Sequence, residues 1–241
     1  MLTSIHYARG YGIAALFCGT VMLATPASTC AQPSQKRAQP AATEAPELDL
    51  MVTYYSRVLT SEGVLRESRY QENMLRRGGH VWVARVLPKM VADEHGHKHF
   101  NYVLLARHVT LDGDRLRVDF VDAHERAVVA IDPTEYENVN FDGSWTNAFY
   151  LVDPQDVAML PLSGRASPVA GARWHEREKN GAFQRVLWDD QRMIPLIVET
   201  GDRTGNALRR IEVTPQPGLT KKLPWLSLKG YAQKEYADFL D

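Results

Sequence analysis

From Leu50 to Val213 the chain keeps returning to runs of apolar and β-branched residues with a period of two, interrupted by residues that turn a backbone tightly. A period of two sends alternate side chains to opposite faces, so the pattern commits most of the chain to sheet. Leu50 to Thr60 leads through Ser61-Glu62-Gly63 into Val64 to Arg76, and Arg77-Gly78-Gly79 leads into His80 to Leu87, which is apolar on much of both faces. Phe100 to Leu111 and Asp114 to Asp122 flank Asp112-Gly113, a dipeptide that favours the positive φ angles of a two-residue hairpin. In the second of these strands Leu116, Val118 and Phe120 alternate with Arg115, Arg117 and Asp119, which predicts one wet face. Ala127 to Ile131 is a further strand. Four more follow: Arg173 to Lys179 and Ala182 to Trp188 around Asn180-Gly181, then Ile194 to Thr200 and Ala207 to Val213 around Gly201 to Gly205.

The remainder is less regular. Asp132-Pro133 and Asp153-Pro154 each have the form of an N-cap followed by a proline in the first helical turn, so short helices are expected between Asp132 and Pro161. After Pro224 and Trp225, the spacing of Leu228, Tyr231, Tyr236, Phe239 and Leu240 predicts a terminal helix over Ser227 to Leu240. The fold class is therefore mainly β, with some α+β character: antiparallel strands, short helices across the open side, and a C-terminal helix.

The first 31 residues read as a signal peptide. Arg9 is the positive n-region, Ile13 to Ala24 the apolar h-region, and Ala27-Ser28-Thr29-Cys30-Ala31 the small residues at a cleavage site placed after Ala31. The run is shorter than the roughly 20 apolar residues that span a bilayer. Residues 32–47, rich in Ala, Pro, Gln and Ser, read as a flexible linker, and residues 48–241 as a single β-rich domain. The expected location is the periplasm. A lipoprotein anchored at Cys30 is the alternative, and it alone would add peripheral membrane association; Ala27-Ser28-Thr29 lacks the Leu-x-(Gly/Ala) that usually precedes a lipidated Cys.

Cys18 and Cys30 both lie in the leader, so a chain cut after Ala31 has no thiol for nucleophilic catalysis, disulfides or thiolate metal sites. With 28 basic and 29 acidic residues the net charge is -1, and the composition gives no basic excess of the kind a nucleic-acid partner requires. No Gly-x-Ser-x-Gly, phosphate loop or His-Glu-x-x-His is present. Glu176 and Glu178, bracketed by Arg173, Arg177 and Lys179, read as cross-strand ion pairs, and Asp189-Asp190 as a turn. A non-enzymatic protein is expected.

The stretch Arg185-Val186-Leu187-Trp188-Asp189 through Pro195-Leu196 to Asp202, Gly205 and Arg210-Ile211-Glu212-Val213 resembles the late hairpins of the LolA, LolB and RseB superfamily. The resemblance implies a strongly curved antiparallel half-barrel closed by helices. It also implies a periplasmic carrier or sensor that holds a hydrophobic small molecule, an acyl chain or an envelope protein in a hollow. No site residue is carried over with it, because a fold does not fix a function.

Two groups of residues are candidates for a site. Tyr54, Trp82, Trp145, Phe149 and Trp188 are the aromatic side chains proposed to line a ligand cavity; Tyr55, Trp174 and Phe183 join them in the wider set, and ordinary core packing is the plainer reading of most. In Asp93-Glu94-His95-Gly96-His97-Lys98-His99, His95, His97 and His99 recur at every second position and share a face if extended. Neutral imidazoles in that pattern suit Zn or Cu, with His108 or His124 as further ligands, and the plainer reading is a solvated polar loop. Titration with Zn(II) or Cu(II) against a triple alanine variant separates the two: equal binding by both proteins removes the metal site. No cofactor is expected otherwise. Arg66, Arg69, Arg76 and Arg77 read as a solvated strand face rather than an anion site.

Overall fold

The computed structural model describes residues 45–87 and 101–239, all within the compact unit 39–241. The proposed leader, the cleavage site, Cys30 and the His95-His97-His99 run lie outside the described residues. In chain order the strands are β1 (Leu48–Leu59), β2 (Leu65–Arg77), β3 (His80–Arg85), β4 (Ala106–Asp112), β5 (Arg115–Asp122), β6 (Ala127–Ile131), β7 (Ala172–Lys179), β8 (Ala182–Asp189), β9 (Ile194–Asp202), β10 (Ala207–Pro215) and β11 (Ala232–Glu235). Two short helices, α1 (Trp145–Tyr150) and α2 (Pro154–Ala158), lie between β6 and β7.

The eleven strands among the described residues form one open sheet, ordered β11-β6-β5-β4-β3-β2-β1-β10-β9-β8-β7. It consists of two hairpin meanders, β1 to β6 and β7 to β10, joined by the antiparallel pairing of β1 with β10 from Leu50↔Pro215 to Val58↔Ala207. The sheet is the curved, helix-covered half-barrel that the alternation and the resemblance lead one to expect. A bulge between Leu187 and Trp188 interrupts β8 against β9, the kind of irregularity that bends and twists a sheet locally.

The predicted caps are present. Asp132 accepts from the Thr134 amide at the head of a 3₁₀ turn over Pro133–Val139, and Asp153 accepts from the Gln155 amide at the head of α2. Ser144 caps α1 through the Asn147 amide. α1 seats Trp145, Phe149 and Tyr150 in the main core, where they are 1–2 % exposed beside Leu50, Val52, Met74, Val81, Val109 and Val118.

Three expectations are corrected. The expected helix over Ser227–Leu240 does not form: its described part, Ser227–Phe239, instead gives the end of a 3₁₀ turn (Pro224–Ser227), then β11, then a second 3₁₀ turn (Tyr236–Phe239). Gly230, at φ +85°, ends any helical path, and β11 pairs in parallel with β6 from Ala232↔Ala127 to Glu235↔Ala130. The spacing of Leu228 and Tyr231 has another cause, since with Trp225 both pack onto Trp82, Val121 and Val128.

That packing produces the second correction. The expected wet face of β5 is dry at its far end, where Asp119 and Val121 are buried on the side that the C-terminal segment covers. The third concerns the arginine series, because Arg76 and Arg77 are 0 % and 5 % exposed while Arg66 and Arg69 remain in solvent. The linker read as running to Glu47 is also already engaged at its end, where Ala45 packs on the core and the Pro46 carbonyl accepts from Arg76.

Glu176 and Glu178 behave as read. Glu176 pairs with Arg185 at 3.5 Å and Arg165 at 3.8 Å, Glu178 pairs with Arg203, and the series continues through Glu199 to Arg210. These pairs are half-buried to exposed, and pairs with this much access to water contribute little each, about 0–1 kcal/mol, so their main effect is to hold neighbouring strands in register.

Candidate functional site

In an antiparallel ladder, directly paired residues share a face. Register therefore groups Tyr54 with Tyr70, Val52 with Glu72, Glu72 with Arg85, and Val83 with Arg107 and Phe120, all on the face that carries α1, called here the inner face. The Tyr54 and Tyr70 rings stack at 4.7 Å, and the Arg85 guanidinium lies 3.8 Å from the centre of the Tyr70 ring. Arg107 sits 5.8 Å from the Phe141 ring, and its Nε is out of solvent with no hydrogen-bond partner among the described residues.

This cluster mixes aromatic walls with charge in a poorly solvated place. Burial raises the Glu72 carboxyl, against the pull of Arg107, the Tyr54 hydroxyl and Arg85. Burial also holds the Tyr54 hydroxyl well above its ordinary value, with Glu72 adding to the effect. Two guanidinium groups face one carboxylate, so the cluster favours a ligand that brings an anionic group and an apolar body.

The five residues proposed from the sequence as cavity walls fall in three places. Tyr54 packs against the core cluster that contains Trp145 and Phe149, whose rings are 5.1 Å apart. Trp82 alternates to the opposite face, and Trp188 belongs to a small separate cluster with Val157, Leu160 and Val186. Tyr70, Glu72, Arg85 and Arg107 escaped the sequence reading, because each looks like an ordinary strand residue until cross-strand register sets them together. The signal that would have found them is the turn at Ser61-Glu62-Gly63, which fixes Tyr54 opposite Tyr70.

His108, considered above as a metal ligand, has a different partner. On the outer face His80 Nδ1 and His108 Nε2 are 3.1 Å apart, and the Trp225 ring stacks on both at 5.1 and 5.2 Å. No group of three or more His, Cys, Asp or Glu side chains is arranged to hold a metal ion among the described residues. Burial, then the neighbouring His80 and Arg117, lower His108 to about 4, and burial lowers His80.

Both imidazoles are therefore folded in the neutral form. As pH falls below the ordinary value of 6.5, the unfolded chain binds a proton that native His108 does not, so stability declines from there down to about 4. At about 1.4 kcal/mol per unit, His108 accounts for at most ~3 kcal/mol of that decline. Urea unfolding of wild type and His108→Gln across this range is expected to show a steeper loss in wild type; parallel curves would remove His108 as the cause.

No protein-family model and no curated protein matches the chain. Several solved structures do. PNGF-II is 8 % identical with a TM-score of 0.34, the match covering 80 % of this chain and 32 % of that one, so the chain spans about a third of its length. MucB in the Pseudomonas aeruginosa MucA/MucB complex is 13 % identical with a TM-score of 0.35, covering 75 % of this chain and 55 % of that one. A putative outer membrane lipoprotein-sorting protein domain from Vibrio parahaemolyticus is 13 % identical with a TM-score of 0.27, covering 72 % of this chain and 87 % of that one. These are distant likenesses of fold alone.

Proposed function

We propose that the protein is a non-enzymatic periplasmic carrier or sensor that holds a hydrophobic or envelope-derived ligand, or a segment of a protein partner, against the inner face of its curved sheet. The observation that carries this reading is Arg107, whose Nε is buried without an acceptor among the described residues, near Tyr54 of the stacked Tyr54–Tyr70 pair. A buried donor left without an acceptor costs about 1–3 kcal/mol, and an incoming carboxylate or phosphate oxygen relieves that cost. Arg85 adds a second cation, while Tyr54, with Trp145 and Phe149 behind it, offers the apolar surface. Trp82 and Trp188 complete the aromatic set drawn from the sequence, but each packs in a hydrophobic cluster separate from the one Tyr54 joins, which supports a core role for both.

The test is fluorescence titration with dansylundecanoic acid, an acyl chain ending in a carboxylate. Saturable binding is expected, weakened at least tenfold by Arg107→Ala and by Ser56→Trp. Ser56 lies two residues beyond Tyr54 on the same face and opposite Ser68, so a bulky ring there obstructs the cluster without altering its charge. Absence of saturable binding to the wild-type protein sinks the reading, and so does binding that both substitutions leave intact.

A further inference from the structure

Residues 214–234 contain Lys221, Lys222, Lys229 and Lys234 and not one Asp or Glu, within a chain whose net charge is -1. The global balance conceals this local excess. The segment crosses the outer face of the sheet, held there at three points. Asp49 accepts from the Thr220 amide at 2.8 Å, Trp225 stacks on His80 and His108, and the Ala232 amide donates to the Arg126 carbonyl at 2.8 Å. Leu219, just before the first anchor, and Leu226, after the second, are 48 % and 73 % exposed, and Lys221, Lys222 and Lys229 stand in solvent around them.

Below this surface a cleft of about 440 Å³ opens between Arg77, His80, Thr220, Lys221 and Trp225, with Glu47 at its edge. Glu47 lies 3.6 Å from Arg77, which also bonds to Asp49, so the two acidic groups here are already engaged by Arg77 and Thr220. The lysines keep their charge outward.

We propose that this outer surface, residues 216–231, docks the protein onto a lipid bilayer bearing anionic headgroups. Exposed leucines flanked by lysines suit the headgroup boundary, where apolar side chains enter the acyl region and each lysine gains about 1 kcal/mol from a negatively charged surface. A nucleic acid fits less well, because an aromatic platform is what stacks on bases and Trp225 is turned inward onto the two imidazoles. The surface lies on the opposite face of the sheet from Arg107, so docking here is independent of the inner-face ligand reading.

The experiment is co-sedimentation of the full chain with vesicles of phosphatidylcholine alone and of phosphatidylcholine mixed with phosphatidylglycerol. Binding is expected to be at least tenfold stronger to the mixed vesicles and to weaken as salt rises. Lys221→Glu with Lys222→Glu is expected to abolish the headgroup preference, and Leu226→Ala to weaken binding to mixed vesicles, with wild-type melting temperatures in both cases. Any affinity contributed by the apolar run Tyr11 to Ala24 is common to all variants and cancels in these comparisons. Equal binding to both vesicle types overturns the proposal, as does a preference that survives the charge reversals. A self-association that the lysine reversals disrupt would assign the surface to a second copy instead.

Discussion

Replacing Arg76 by Ala is expected to destabilise the protein by about 3–5 kcal/mol, from buried carbonyls left without their donor at ~1 kcal/mol or more each and from the cavity that a large buried side chain leaves. For a domain of this size that corresponds to a fall in melting temperature of roughly 10 °C. Arg76 has no solvent exposure, and among the described residues its hydrogen bonds all run to backbone carbonyls. Its Nε and Nη2 donate to the Pro46 carbonyl at 3.1 and 2.9 Å, Nη1 to the Met193 carbonyl at 3.0 Å, and Nη2 again to the Arg192 carbonyl at 2.6 Å. The guanidinium also lies 5.1 Å from the centre of the Phe149 ring and 5.8 Å from that of Tyr150.

One side chain thus fastens the entry to β1, the turn between β8 and β9, and helix α1. Burial lowers Arg76 to about 10, and it stays charged at every pH where the fold is of interest. Truncation leaves three carbonyls without their donor and a large cavity next to α1. Arg76→Lys is expected to restore less than half of the loss, because a single ammonium cannot span carbonyls on both sides as the planar fork does. Urea denaturation measures both, and an Arg76→Ala protein within 1 kcal/mol of wild type would mean that the three elements hold together without it.

The second large effect is expected from Asp49→Ala, about 3 kcal/mol in the same measurement. Asp49 accepts from Arg77 Nη2 at 2.6 Å, from the Thr220 amide at 2.8 Å and from the Thr220 hydroxyl. Arg77 is almost fully buried, so loss of the carboxylate leaves it only the more distant, solvent-exposed Glu47 at 3.6 Å as an acidic partner and frees one anchor of the C-terminal segment. Burial opposes ionisation of Asp49, yet the hydrogen bonds from Thr220 and Arg77 outweigh it and hold the carboxyl below its ordinary value.

The sign of the pH dependence follows. A depressed carboxyl contributes stability that is complete above the unfolded value, near 3.9, and is lost as pH falls through the lower folded value. The gap between wild type and Asp49→Ala should therefore hold from neutrality down to about pH 4 and narrow below it. A gap that is already closing between pH 7 and 5 would show that another group is responsible. A double-mutant cycle with Arg77→Met isolates the pair, since the two losses should be far from additive.

The ten strands from β1 to β10 were legible because what makes them is local. Alternation at period two selects the strand, Gly113 and Asn180-Gly181 supply the positive φ of tight hairpins, the first loop lying at Gly113-Asp114 and so one residue later than read, and the Asp-Pro pairs cap the turns they begin. Each of those signals acts within a few residues. Arg76, Arg77, the histidine pair, the C-terminal segment and the inner-face cluster depend on what lies opposite, and no local signal carries that. Arg76 reads as one more solvated strand cation until the Met193 carbonyl, 117 residues away, comes within reach.

Tyr54 was picked out as an aromatic, but its neighbours Glu72, Arg85 and Arg107 acquire meaning only from the register of four strands. The end of the chain shows the same division from the other direction. Trp225, Leu228 and Tyr231 repeat every three residues, a spacing that resembles a helix, whereas the segment lies extended and turned because Trp82, Val121 and Val128 give it an apolar surface and β6 gives it an open edge. The sequence by itself determined the strands, their turns and their caps, since backbone preference and side-chain alternation suffice for those. The tertiary structure alone decided which charges were buried and which surface was left basic, because desolvation and pairing are properties of neighbours brought together by the fold.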